Sequence, residues 1–115
     1  PGPLTLVVPK KPTLPSIVTC GIDSVGVRIP NHKVTTQLIM LCGKLLVGTS
    51  ANKTGEKPPK TAQEAIAQLG AQVDLILDGG PTPIGQESSV LDLTSEKPKM
   101  LREGPVKLAD ILKVL

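Results

Sequence analysis

Apolar residues fall in short runs along this chain, each closed by Pro, Gly or a polar cluster. "LTLVV" at 4–8 stops at Pro9 and a Lys-Pro loop, and "VGVRI" at 25–29 stops at Pro30, so both read as short strands. "HKVTTQLIMLC" has apolar residues at 34, 38, 39, 41 and 42, a helical rhythm broken by Gly43. "LLVG" at 45–48 predicts a buried strand. Thr61 as N-cap and Glu64 as its capping-box partner start a second helix, with an apolar stripe of Ala65, Ile66 and Leu69 and a stop at Gly70. "VDLILD" at 73–78 is expected to be a strand, as are "SVLDL" at 89–93 and "KMLRE" at 99–103. "VKLADILKVL" at 106–115 closes the chain as a helix, apolar at 108, 111, 112 and 115. Strands that first alternate with helices and then follow one another predict an α/β domain: one mixed, twisted sheet with flanking helices.

The chain has 115 residues, enough for one domain and one core. Its apolar residues are aliphatic, with no Phe, Tyr or Trp, which excludes the aromatic platforms on which single-stranded nucleic acids stack. A net charge of +3 and a pI near 9.1 suit small anionic ligands without demanding nucleic acid. Cys20 and Cys42 are expected to be buried, reduced thiols, and one histidine, His32, is too few for a zinc site. His32 itself is read as a helix cap or an exposed residue, and no carboxylate cluster suggests a metal ligand set. With no membrane-length apolar run and no signal-peptide pattern, the chain reads as soluble and cytoplasmic.

The polar residues that border the apolar runs carry the candidate chemistry. "VGTSANKTGEKPPKT" at 47–61 is not a phosphate-cradling P-loop: Glu56 follows Gly55, and Ser50 stands where the first glycine would be. Ser50 and Asn52 either bind a ligand at the carboxyl end of a strand or tie down a turn. Arg28 shares a strand face with Gly26 and either points to solvent or meets an anion in the space the glycine leaves. Arg102 precedes Gly104 at another strand end, and Glu87, Ser88 and Ser89 lead into "SVLDL". No nucleophile–base pair is evident. Two arginines, hydroxyls and an amide describe a pocket for anions and hydroxyls that works by positioning and electrostatics. The ends of strands 25–29, 45–48 and 89–93 are expected to converge, bringing Arg28, Ser50 and Ser88 around one concavity.

In order and spacing, "PGPLTLVV", "DSVGVRIPNH", "GTSANKTGEKPPKTAQEA", "VDLILDGGPTPIGQESSVLDLT" and "LREG" resemble the YrdC-like family, the L-threonylcarbamoyladenylate synthases. The resemblance implies a YrdC-like α/β fold. It also implies that residues 1–115 are the C-terminal portion of a single domain, incomplete at its N-terminus because the family places "PGPLT" near mid-domain. The implied reaction joins ATP, with Mg2+, to bicarbonate and L-threonine, giving threonylcarbamoyl-AMP and pyrophosphate for the t6A modification of tRNA. Arg28, Gly48 and Ser88 would then contact L-threonine, and Ser24, Ser50, Asn52 and Arg102 would hold ATP. Pro58 stands where the family often has a serine, and Glu103, beside Arg102, would weaken its attraction for phosphate.

The alternatives are a double-stranded RNA-binding module of the same fold, the carbamoyl-adenylate-forming domain of hydrogenase maturation proteins, and an inactive remnant. Partners implied are the three substrates, tRNA or duplex RNA, other t6A-pathway proteins, and a second copy through an exposed sheet edge. No membrane partner is implied.

Overall fold

A computed structural model describes residues 1–114 as β1 (Leu4–Pro9), a 3-10 turn (Ser16–Thr19), β2 (Ser24–Val27), α1 (Lys33–Leu41), α2 (Ala62–Leu69), a second 3-10 turn (Gly70–Gln72), β3 (Ser89–Asp92), β4 (Lys99–Arg102) and α3 (Leu108–Ile111). The elements group into two units, Pro1–Leu45 together with the segment from Gln86 onward, and Leu46–Gly85.

The first unit is built on a four-stranded mixed sheet in the order β2-β1-β3-β4. β1 runs antiparallel to β2 and parallel to β3, and β3 runs antiparallel to β4. Strand alternation sorts the residues into two faces. Leu4, Leu6, Val8, Val25, Val27, Ser89 and Leu91 share one; Thr5, Val7, Gly26 and Val90 share the other. Leu91, 1% exposed, and Ile111 from α3 are the buried hydrophobic residues. A register shift between Val90 and Leu91 sets Arg102 opposite Val90 and Met100 opposite Leu91. The bulge thereby turns Arg102 toward the Thr5 face while keeping Met100 with Leu91.

Ser89 is fully inaccessible and its hydroxyl is saturated. It donates to Val106 O at 2.7 Å and accepts from Gly104 N at 3.1 Å and Val106 N at 3.0 Å. Gly104 is buried against the same segment: a β-carbon there would lie 2.6 Å from Ser89 N and 2.7 Å from Glu87 O. Backbone cannot yield as a flexible side chain would, so this glycine is required by close approach. At the far end of β3, Asp92 Oδ1 accepts from Thr94 Oγ1 at 2.7 Å and Thr94 N at 2.8 Å, an Asx turn that starts the β3–β4 connection.

Both helix starts are capped by the residues the sequence nominated. His32 is the N-cap of α1, and its Nδ1 accepts from Thr35 N at 3.3 Å. Thr61 caps α2 by accepting from Glu64 N at 3.2 Å, while Glu64 reaches past the cap to accept from Lys60 N at 2.7 Å. The helix ends at Leu69 with Gly70 as its C-cap, as expected, and a separate 3-10 turn follows from Gly70.

Four expectations are corrected. Residues 45–48 form no strand, and Leu45 and Val47 are 80% and 77% exposed. Residues 73–78 form none either. Both runs have strand-like composition but no ladder partner among the described residues, and a strand exists only as part of a ladder. Cys20 and Cys42 are exposed, because each occupies a helix C-cap rather than a core position. The closing helix is shorter than 106–115, at Leu108–Ile111, and its expected last residue lies outside the described residues.

Two outcomes test this account. Ser89→Ala leaves one buried and two part-buried backbone groups without their partner and should destabilise the fold by roughly 1–3 kcal/mol, while Gly104→Ala should cost roughly 1–3 kcal/mol or more through overlap. Unchanged urea midpoints for both would show that this contact bears no weight. The two hydrogen bonds from Thr94, hydroxyl first and amide second, hold the Asp92 carboxyl below its ordinary value, with a smaller contribution from Lys99. A lowered folded-state value stabilises the fold above the ordinary carboxylate range, and that contribution is lost as pH falls through the lowered value. The stability gap between wild type and Asp92→Ala, followed by chemical unfolding from neutral to acid pH, should therefore narrow on acidification.

Candidate functional site

The polar groups of the Thr5 face form one connected cluster at the entrance to β3. Ser88, 6% exposed, places its hydroxyl 2.9 Å from Thr5 Oγ1. Arg102 donates from Nε to Ser88 O at 2.9 Å and from Nη2 to Ser88 Oγ at 3.2 Å. Its Nη1 pairs with Glu87 Oε2 at 2.9 Å. Three of the five guanidinium hydrogens are thus spent on one short segment, which fixes the plane of the group. At 42% and 48% exposure, the Arg102–Glu87 pair is screened by water and serves orientation more than stability.

Arg28 follows β2 directly, two residues beyond Gly26, and is exposed. Its Nε donates to Gly2 O at 2.8 Å, which tethers the side chain near the start of the chain. Gly26 lets β2 lie close against Thr5: a β-carbon there would stand a tight 3.3 Å from Thr5 Cγ2. Ser24 opens β2 opposite Pro9 and is half-buried. The first unit thus gathers Ser88 and Arg102 in direct contact and carries Arg28 and Ser24 on its β2 edge.

Gly48, Ser50 and Asn52 belong to the second unit. Gly48 and Ser50 lie in exposed chain without regular secondary structure, and a β-carbon on Gly48 would meet nothing within 4 Å. Asn52 ties the Lys-Pro loop, its Nδ2 donating to Lys53 O at 2.9 Å and Glu56 O at 3.1 Å. Gln68 on α2 braces the same loop by accepting from Lys53 N and donating to Lys57 O. Asn52 therefore does tie the turn with its amide nitrogen. Its Oδ1 is buried with no partner among the described residues, an acceptor left open. The expected convergence of three strand ends does not occur in that form, since 45–48 is not a strand. This unit also carries an open hollow of about 340 Å³ lined by residues including Ala51, Lys60, Ala65, Leu69 and Leu77.

Sequence reasoning passed over one participant, Thr5, the one polar residue of "LTLVV" and a break in an apolar strand that could have marked it. It singled out Glu87 at the entrance to "SVLDL" but not its pairing. Glu87 is Arg102's acidic partner, whereas Glu103 turns away to sit 3.9 Å from Lys107.

Comparison with known proteins gives this geometry a context. The family profile Sua5/YciO/YrdC, described as telomere recombination, matches residues 1–104. Across its whole length the chain is 42% identical to a threonylcarbamoyl-AMP synthase of Pyrococcus abyssi and 38% identical to one of Bacillus subtilis, spanning 34% of each. A putative threonylcarbamoyl-AMP synthase of Mycobacterium tuberculosis is 39% identical, with 52% of its length covered. The chain thus spans about a third to a half of the curated relatives it matches. Among solved structures, P. abyssi Sua5 complexed with L-threonine superposes over all of this chain and 34% of its own with a TM-score of 0.94. Escherichia coli YciO superposes over 94% of this chain and 53% of its own, at 26% identity and a TM-score of 0.84. The profile match over residues 1–104, the identity over the whole chain and the superposition agree, and on that agreement the chain belongs to the Sua5/YciO/YrdC family.

Proposed function

We propose that this chain supplies the L-threonine-binding part, and some of the ATP-binding part, of a threonylcarbamoyl-AMP synthase acting in tRNA t6A modification. The observation that carries this reading is the match over the whole chain, at 42% identity, to a Sua5 described in complex with L-threonine. The Arg102–Ser88–Thr5 cluster supports it, because it presents fixed hydrogen-bond donors without a nucleophile or a base. The reaction needs no protein nucleophile, because the threonine amine, once its ammonium has released a proton to solvent, is the nucleophile itself. The amine of threonine forms a C–N bond to the carbon of bicarbonate with loss of water, and the resulting carboxylate displaces pyrophosphate from ATP. Rate then comes from holding three reactants in line and from donors aimed at developing negative charge.

In this reading Arg28 pairs with the threonine carboxylate and Ser88 contacts the same ligand, while Gly48 is the candidate threonine contact of the second unit. A glycine at 48 has no positive φ and no neighbour to avoid, so its lack of a side chain serves the ligand. Ser24, Ser50, the open Oδ1 of Asn52 and Arg102 serve the nucleotide. No group of three or more His, Cys, Asp or Glu side chains among the described residues could hold a metal ion, so Mg2+ would come with the ATP phosphates.

Calorimetric titration of the full chain with L-threonine and, separately, with ATP tests the assignment. Loss of a hydrogen bond to a charged group costs about 1.5–3 kcal/mol, so Arg28→Ala should weaken L-threonine roughly 10- to 100-fold and leave ATP nearly unchanged. Arg102→Ala should fall mainly on ATP, with an effect that shrinks as salt is added. Both substitutions weakening both ligands alike would overturn the pocket assignment.

A further inference from the structure

We infer that Thr5 is a ligand-binding residue of this site: it ends a hydrogen-bond relay running from Arg102 through Ser88 and presents the one unspent hydroxyl hydrogen to an oxygen acceptor, the carboxylate of the bound amino acid. The inference rests on the proposed synthase reading and deepens it. Counting hydrogens leads there. A guanidinium has no lone pair to offer, so in the 3.2 Å contact with Arg102 Nη2 it is Ser88 Oγ that accepts. Thr5 Oγ1 and Ser88 Oγ, 2.9 Å apart, carry two hydrogens between them and consume one in their mutual bond. One hydrogen is left over.

Two physical effects place it on Thr5. Accepting from a charged donor polarises the Ser88 hydroxyl and makes its own O–H the stronger donor, so the relay runs from Ser88 toward Thr5. Burial points the same way. Ser88 is 6% exposed, and an unpaired hydrogen there would lack both water and a partner, whereas Thr5 is only half-buried and stays within reach of water.

The surroundings of Thr5 name the acceptor. Thr5 pairs in register with Val90 on β3, an apolar residue, and Gly26, which pairs with Val7, brings only backbone beside the threonine methyl. Arg28, two residues beyond Gly26, brings a positive charge to the same edge. A donating hydroxyl and a guanidinium together suit a carboxylate and repel an ammonium group, so the acid end of the amino acid is the part that Thr5 meets.

The test compares wild type, Thr5→Val and Thr5→Ser of the full chain by calorimetric titration with L-threonine and with ATP. Valine keeps the shape and β-branching while deleting the hydroxyl; serine restores it. Thr5→Val should weaken L-threonine about 5- to 20-fold and leave ATP within about twofold, and Thr5→Ser should return L-threonine to within about twofold of wild type. Should the valine variant fail to fold, Thr5→Ala set against Thr5→Ser decides the matter by the same criteria. Wild-type affinity in the variant lacking the hydroxyl, an equal loss for ATP, or a serine variant as weak as the valine one would each overturn the inference. Failure of the wild-type chain to take up L-threonine at all would remove the synthase reading and this inference together. A wild type that binds beside a Thr5→Val that binds equally well removes the inference alone.

Discussion

The Ser89 hydroxyl is the contact on which the rest of the first unit depends. It has one hydrogen and two lone pairs, and Val106 O, Gly104 N and Val106 N use all three in a place water does not reach. The turn after β4 is therefore bound to the start of β3, and Gly104 can come that close because it has no β-carbon. Arg102 lies two residues before Gly104, so the same docking delivers its guanidinium onto Ser88. One buried hydroxyl thus sets both the sheet's packing and the position of a functional cation. Its neighbour Ser88, pointing to the opposite face, is released from structural duty for the site.

How much of this the sequence disclosed depended on whether a signal was local. Thr61 with Glu64, and His32 ahead of α1, could be read because a cap and its partner are three residues apart. "LTLVV" and "SVLDL" were legible because both sit inside the sheet, where alternation and β-branching agree with the ladder. "LLVG" and "VDLILD" carry the same composition but find no ladder among the described residues, so composition alone misled. Arg28, Ser88 and Arg102, which the family motifs named, all stand at strand ends of one sheet. The pairing of Thr5 with Ser88 was hidden, since it joins positions 83 residues apart.

The same limit explains the misplaced carboxylate. Glu103 is Arg102's neighbour in sequence, but adjacent residues of extended chain point to opposite sides, and Glu103 approaches Lys107. Glu87 reaches Arg102 because β3 and β4 are antiparallel and the bulge at Val90 aims the arginine at the residues that precede β3. Acidic compensation of Arg102 is real, then, but it comes from across the sheet.

In the synthase reading that compensation bears on how phosphate would be bound. An ion pair this open to water is worth about 0–1 kcal/mol, against about 1.5–3 kcal/mol for a hydrogen bond to a charged group. A phosphate oxygen can therefore displace Glu87 from Nη1 at small cost. The bonds from Nε and Nη2 to Ser88 do not have to break for that exchange. The guanidinium would meet its ligand already oriented, with little reorganisation at the moment of binding, which is the condition under which a fixed cation stabilises developing charge most effectively. In that reading Glu87 would hold the arginine in place until the nucleotide arrives, and Ser88 would hold it there afterwards.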